Sequence, residues 1–430
     1  MQDKKLWQSM LGLARASVES VRRDDDGGVI VVAVRAHRRE QRRCGRCRRR
    51  SPLYDRGAGR RRWRSLDLGT VPVWLEADAP RVRCRVHGPT VAGVPWARHG
   101  AGHTRDFDDT VAWLAVRSSK TAVTELLRVA WRTVGAIITR VQADIDATVD
   151  RFDGLTRIGI DEISYKRGHR YLTVVVDHDS GRLVWAAVGR DEATLSTFFE
   201  RLGAERCARI THVSADAATW IANAVRAHCP NAVLCADAFH VVAWATDALD
   251  EVRRAAWNDA RVAARRAPRR PNGRPRLDAP PHHDRPRALK NARYALWKNP
   301  ENLTGHQRAT LAWIAKIDPR LHRAYLLKEG VRMVFALKGQ AGKDALDRWI
   351  GWARRCRIPA FVKLQRAIRR HRREIDAALD SGLSNALIES TNTKIRLLTR
   401  IAFGFKNPDA LIALALLALG GHRPALPGRP

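Results

Sequence analysis

The stretch Arg157-Ile158-Gly159-Ile160-Asp161-Glu162 decides the fold. Its small and apolar residues form a short buried strand that is expected to deliver Asp161 and Glu162 at its end. A carboxylate in that position is unfavourable unless it meets a cation or a metal ion. We therefore read it as the first strand of a candidate catalytic sheet.

The residues that follow support this. A turn at Lys166-Arg167-Gly168 leads into the β-branched and aromatic run Tyr171–Val176, which breaks at Asp177-His178-Asp179-Ser180-Gly181 before a further strand, Leu183–Val188. Leu195, Phe198, Phe199 and Leu202 have helical spacing within Thr194–Leu202. The segment Ile210–Ala215 reads as a strand ending on Asp216, Ala217–His228 as a helix, and Ala232–Ala236 as a strand ending on Asp237. Three strands joined by hairpin turns imply antiparallel pairing, and the two helical crossovers imply parallel pairing. The expected sheet is mixed, and the order resembles that of a ribonuclease-H-like domain. The fold class is α/β: such a domain with a helical insertion, preceded by a zinc-knuckle module and a helix-turn-helix.

A chain of 430 residues is too long for one core and suggests two to four domains. Its 78 Lys and Arg against 44 Asp and Glu give a formal charge of +34, which points to a polyanionic partner. Of those 78, 65 are Arg, the side chain suited to forked contacts with phosphate. The basic residues are clustered: Arg35 to Arg64 holds fourteen Arg and two acidic residues. The longest apolar run, Ala410 to Leu419, is about half of what a membrane span needs and reads as a core helix. Seven cysteines fit a reducing cytoplasm, and no secretion signal is recognised.

Residues 1–34 read as a small prelude: an amphipathic helix, a turn at Asp24-Asp25-Asp26-Gly27-Gly28 and a strand from Val29 to Val34. The basic stretch contains Cys44-Gly45-Arg46-Cys47, and Cys84-Arg85-Val86-His87 follows after a gap of 36 residues. Paired C-x-x-C and C-x-x-H knuckles supply the four ligands of a closed, structural zinc site: Cys44, Cys47, Cys84 and His87. The intervening segment is expected to form a hairpin with Trp63, Leu66, Leu68, Val71, Val73 and Trp74 as its core. Helical periodicity in Phe107–Val116, Ser119–Val129 and Thr133–Arg140 suggests a helix-turn-helix whose second helix enters the major groove, with Arg128, Arg132 and Arg140 facing phosphates.

After the sheet, Val241–Val262 reads as a helix, and residues 261–290 hold ten basic residues and six prolines, as a solvated arm would. Residues 290–380 read as helical, with Trp297, Trp313, Trp349 and Trp352 as core candidates. Ser384-Asn385 is the expected cap of a helix through Leu397. Glu389, Asn392 and Arg396 are expected to share one face of it, beside Ile388, Ile395 and Leu398.

The run Ser384-Asn385-Ala386-Leu387-Ile388-Glu389-Ser390-Thr391-Asn392-Thr393-Lys394-Ile395-Arg396, continuing to Arg400 and Ala402-Phe403-Gly404-Phe405, resembles the C-terminal signature of bacterial insertion-sequence transposases of the ISL-three family. Gly159-Ile160-Asp161-Glu162, Ala236-Asp237-Ala238-Phe239-His240-Val241-Val242 and Leu296–Thr304 resemble other blocks of that family, as does the zinc-knuckle region. Ser390-Thr391 departs from the pattern, in which a Gly follows the Glu. The resemblance implies a DDE transposase that holds two Mg²⁺ (or Mn²⁺) ions with three carboxylates, among them Asp161 and Glu389. The middle carboxylate is Asp216 or Asp237. We favour Asp216, with Asp237 and His240 as an adjacent support or DNA-contact element. Asn392, Lys394 and Arg396 join the three helix-turn-helix arginines as expected DNA contacts.

The expected divisions are 1–34, a zinc module 35–100, the helix-turn-helix 101–152, the catalytic core 153–250, an insertion 251–375, closing helices 376–420 and a tail 421–430. The expected partners are transposon ends and target DNA, with a homodimer or larger assembly on DNA, no membrane, and a cytoplasmic, nucleoid-associated location. An inactive DNA-binding regulator and a related nuclease without strand transfer are the competing readings. Metal-dependent cutting separates the first of these from a transposase, and joining of cut ends separates the second.

Overall fold

The computed structural model describes residues 4–24, 27–216, 218–266 and 285–429. The Asp25 and Asp26 part of the expected first turn, Ala217, most of the expected basic arm (267–284) and Pro430 at the end of the expected tail lie outside the described residues. The chain divides into two units. One comprises residues 1–153, 182–184 and 393–430, and the other residues 154–181 and 185–392.

The first unit opens with helix α1 (Lys4–Met10) and strands β1 (Ala16–Asp24) and β2 (Val29–Ala36), followed by β3 (Leu53–Asp55), β4 (Arg60–Arg64), β5 (Val73–Asp78), β6 (Arg81–Cys84) and β7 (Gly88–Val91). These strands build two sheets, β1-β2-β5-β4 and β3-β6-β7. Strand β2 runs parallel to β5, Val32 opposite Leu75, so the boundary expected at residue 34 falls inside a strand of the larger sheet. The segment between the knuckles is not a small separate hairpin. Trp63 and Val73 are buried with Val18, Val32, Val34, Leu75 and Trp96 in the core of the larger sheet. Leu68, expected in that core, is exposed. Helices α2 (Arg105–Ala115), α3 (Lys120–Leu127) and α4 (Trp131–Asp146) follow, burying Phe107, Val111, Val123, Val134, Ile137, Ile138 and Val141.

The second unit is organised by β8 (Arg157–Lys166), β9 (Arg170–Asp177), β10 (Leu183–Val188), α5 (Glu192–Leu202), α6 (Ala204–Cys207), β11 (His212–Ala215), α7 (Thr219–His228) and β12 (Val233–Ala236). Its sheet order is β10-β9-β8-β11-β12, with β8 antiparallel to β9 and parallel to β11, and β11 parallel to β12. This is the mixed sheet of the ribonuclease-H-like reading. One expectation is corrected. Strand β8 continues to Lys166, so Asp161 and Glu162 lie within it, opposite Val174 and Thr173, rather than at its end. The hairpin to β9 closes only near Gly168, and the buried Ile163 keeps the apolar alternation going past the carboxylates.

Helices α8 (Ala238–Arg266), α9 (Arg285–Asn291), α10 (Arg293–Trp297), α11 (Gly305–Ile317), α12 (Pro319–Leu337), α13 (Gly339–Arg355), α14 (Pro359–Arg370) and α15 (Arg372–Ser381) form the insertion. They share a core of Leu249, Leu296, Ile314, Leu327, Val331, Trp349 and Phe361, with Trp297 and Trp313 packed on its margin. Trp352, expected in that core, is exposed. Helix α16 (Ala386–Ile401) follows, and α17 (Pro408–Leu419) packs on α4 and α2. The last helix of the expected catalytic core therefore belongs with the first unit. Its apolar run is buried core, and no described helix is long and apolar enough to cross a membrane.

Candidate active site

Parallel pairing places the ends of β11 and β12 beside the middle of β8, because Ala215 is opposite Ile160 and Ala236 is opposite Ala215. Asp161, Asp216 and Asp237 each stand one residue beyond these paired positions. Asp161 is partly buried, and its two carboxylate oxygens are held from different directions. Oδ1 accepts the Glu162 backbone N–H at 2.7 Å, and Oδ2 accepts Asn392 Nδ2 at 2.7 Å. Burial, followed by the negative charges of Asp216 and Glu162, pushes the Asp161 carboxyl up to about 6, against the pull of that backbone N–H.

His240, in the first turn of α8, sets its Nε2 2.7 Å from Asp216 Oδ1 and 3.7 Å from Asp237 Oδ2. The contact with Asp216 raises the His240 pKa, and the charges of Asp237 and Asp161 add to it. Asp237 is buried and starts the helix: its Oδ1 accepts the Phe239 N–H at 3.2 Å and its carbonyl accepts that of Val241. Asp216 is the more open of the two, and its charge is felt by Asp161.

Glu389 lies exposed in the first turn of α16, three residues before Asn392. Glu389, Asn392 and Arg396 share one face of the helix as expected, but Asn392 lies at the edge of that face that turns into the core. Asn392 is 2 % exposed, between the buried Ile388 and Ile395, whereas Glu389, Lys394 and Arg396 face outward. Asn392, expected on DNA, is thus engaged with Asp161. Among the described residues, Asp161, Asp216 and Glu389 do not form a tight cluster; the one group of His, Cys, Asp or Glu with ligand atoms all within 4.8 Å lies elsewhere. Carboxylates are hard oxygen donors of the kind that a divalent cation takes together with water and phosphate oxygens.

The tight group is Cys44, Cys47, Cys84 and His87. Cys44 Sγ lies 3.6 Å from His87 Nδ1, Cys47 Sγ 3.6 Å from Cys84 Sγ, and Cys84 Sγ 3.7 Å from His87 Nδ1. Tetrahedral zinc, with bonds of about 2.3 Å to sulfur and about 2.0–2.1 Å to nitrogen, separates its ligands by about 3.8 Å (S···S) and about 3.6 Å (S···N). The residues fit the ion. Backbone N–H groups of His87 and Val86 bring the Cys84 thiol down to about 6, favouring the thiolate that a metal needs.

In the three-helix segment, Ser119 caps α3 by accepting the Ala122 N–H, and Arg128 ends it in a left-handed conformation. Arg128 is exposed but donates to Thr70 O at 2.9 Å and lies 3.3 Å from Asp67. Arg140 is only 24 % exposed and donates to both oxygens of the fully buried Asp108, at 3.2 and 2.9 Å. It holds α4 to α2 rather than facing a phosphate. Arg132 is exposed on the outer face of α4, together with Ala136 and Thr139.

Comparisons with known proteins agree with this geometry. A family profile described as a transposase matches residues 158–415. The helix-turn-helix domain of transposase family ISL3 matches residues 94–142, and the zinc-finger of transposase IS204/IS1001/IS1096/IS1165 matches residues 40–87. The chain belongs to the ISL3 family of transposases. It is 66 % identical over 436 residues to the transposase for insertion sequence element IS1557 of Mycobacterium tuberculosis, covering all of this chain and 98 % of that protein. It is 26 % identical over 429 residues to the transposase for insertion sequence element IS1001 of Bordetella parapertussis, covering 98 % of this chain and all of that one.

For this ISL3 member the structure brings together Asp161, Asp216, Asp237 and His240, and ties Asn392 to them. Sequence reasoning missed the link between Asn392 and Asp161, although its signal was present: Asn392 is four residues after Ile388 and three before Ile395, on the apolar stripe. It also missed the hydrogen bond between His178 Nε2 and Ser214 Oγ, 2.8 Å, which joins β11 to the turn after β9.

Proposed function

We propose that the chain is the transposase of its own insertion sequence, binding the terminal repeats and carrying out metal-dependent strand cleavage and strand transfer. The observation that carries this reading is the pair Asp161 and Asp216. Asp161 and Asp216 each stand one residue beyond the paired Ile160 and Ala215 of adjacent parallel strands, with His240 against Asp216, in a protein whose formal charge is +34.

In this reading Asp161, Asp216 and Glu389 would hold two Mg²⁺ (or Mn²⁺) ions. When bound, such ions activate an oxygen nucleophile and stabilise the leaving oxygen of an in-line displacement. Asp161 is oriented by the Glu162 N–H and Asn392, and His240 sits against Asp216. Asp237 supports His240 and the start of α8, which favours Asp216 over Asp237 as the middle carboxylate. Water attacks the phosphodiester at the element's end and displaces the 3′-oxygen, which leaves as a hydroxyl; that 3′-hydroxyl then attacks a phosphodiester of target DNA and displaces the target strand's own 3′-oxygen, with no covalent bond to the protein. The zinc ribbon and the outer face of α4, with Arg132, read the ends. Lys394 and Arg396 meet the backbone of the DNA. The protein works in the cytoplasm on nucleoid DNA, as a homodimer or larger assembly that brings two ends together.

The test is cleavage of an end-labelled duplex carrying the element's terminal repeat, with Mg²⁺ or Mn²⁺. Asp216→Ala is expected to abolish cutting, and Asp237→Ala to leave measurable cutting in a less stable protein. Cutting that survives Asp216→Ala but is lost in Asp237→Ala reverses the assignment of the middle carboxylate.

A further inference from the structure

We propose that Asn392 is a positioning residue for strand cleavage: its side-chain amide fixes the Asp161 carboxylate and holds the turn of α16 that carries Glu389 against β8. This rests on the reading of Asp161 as an ion-holding carboxylate. Asn392 Nδ2 donates to Asp161 Oδ2 at 2.7 Å across 231 residues of sequence. The side chain is buried between Ile388 and Ile395, a place where leucine would pack without leaving a polar atom to satisfy.

The amide has capacity left over. Asn392 Oδ1 is buried and meets no hydrogen-bond donor among the described residues. Only the donor half of the group is engaged within the fold, and it is engaged with Asp161. With Oδ1 of Asp161 held by the Glu162 N–H, the amide fixes the second oxygen and so sets the rotation of the carboxylate. A free acceptor beside that carboxylate suits a hydroxyl or a water brought in with the bound DNA and cation. Groups that orient a metal-binding carboxylate change metal affinity or activity by about 10–100-fold when removed. Glu389 is one helical turn away, so the same hydrogen bond limits how far its carboxylate can swing from β8.

The variant that tests this is Asn392→Leu, which keeps the packing and removes the donor, with Asn392→Ala as a second form and Asp161→Asn as a control. Each is prepared as the zinc-loaded full chain. Three quantities are read: the Mn²⁺ midpoint for end cleavage, the Mn²⁺-induced rise in melting temperature without DNA, and the affinity for a terminal-repeat duplex without divalent metal. The proposal expects both Mn²⁺ midpoints to rise about 10–100-fold in the Asn392 variants, with end affinity within about twofold of wild type. Unchanged midpoints in Asn392→Leu, or a loss confined to end affinity, overturn it. If Asn392→Leu does not fold, Asn392→Ala decides by the same readings. If Asp161→Asn keeps cleavage and the Mn²⁺ melting shift, the active-site reading itself fails. If Asp161→Asn loses both and the Asn392 variants keep both, only the role of Asn392 fails.

Discussion

Gly159 stands two residues before Asp161 on the same face of β8, and the space beside it is closed. A Cβ there would lie 2.9 Å from Val176 Cγ2, 3.0 Å from His178 Nε2 and 3.3 Å from Ser214 Oγ. Gly159→Ala therefore forces β8 away from β9 or disturbs the hydrogen bond between His178 and Ser214. Overpacking of this kind costs about 1–3 kcal/mol. Alanine recovers about 0.5–1 kcal/mol of the penalty that glycine carries in a strand. The expected net loss is up to about 2.5 kcal/mol and centres near about 1 kcal/mol, which in a unit of this size lowers the melting temperature by up to about 10 °C. Val176→Ala removes the nearest atom, so in that background the Gly159→Ala penalty should shrink by at least about 0.5 kcal/mol. Thermal melts of zinc-loaded protein, followed by circular dichroism, measure both effects. A Gly159→Ala variant that melts at or above wild type, as an open strand position would give, refutes the reasoning, as does strict additivity with Val176→Ala.

Removing zinc by chelation, or Cys84→Ser, should unfold the ribbon and abolish terminal-repeat binding, with wild type carrying about one zinc per chain by metal analysis; well under one zinc, or repeat binding intact after chelation, counts against the site. Arg132→Ala should weaken DNA binding and reduce its salt dependence by about one ion with little change in stability, whereas Arg140→Ala should lower stability first, as seen in filter binding beside thermal melts. The second effect has a pH signature. Burial holds Asp108 up at about 6, so the folded state binds its proton more tightly than the unfolded chain, and stability declines as pH rises from about 4 to about 6. Loss of Arg140 should carry that decline to higher pH, making the variant's melting deficit larger at about pH 8 than at about pH 5; an equal deficit at both argues against the pair.

The catalytic sheet was legible because its signals are local. Alternation and turn residues marked β8, β9 and β10, and Asp216 and Asp237 close two short apolar runs. The cluster of Cys44, Cys47, Cys84 and His87 was legible because a C-x-x-C and a C-x-x-H knuckle each form within one turn. What escaped depends on pairing between distant segments. Nothing near Val29 shows that β2 will lie parallel to β5 some forty residues on, which is why the first 34 residues read as a prelude. The rotation of α16 was readable from Ile388 and Ile395, but a polar residue on an apolar stripe gains meaning only when its partner, Asp161, is brought to it. Arg140 was assigned to phosphate on its charge alone; its burial against Asp108 depends on how α4 packs on α2.

The most direct test of the central claim places the DNA that flanks this gene on a plasmid and incubates it with zinc-loaded protein and Mg²⁺ or Mn²⁺, beside Asp161→Asn. Cut and joined ends are mapped by sequencing. The account predicts cleavage at the element's ends and their transfer to new target sites by the wild type, and neither by the variant. Specific binding of the ends without cutting, or cutting that persists in Asp161→Asn, would contradict it.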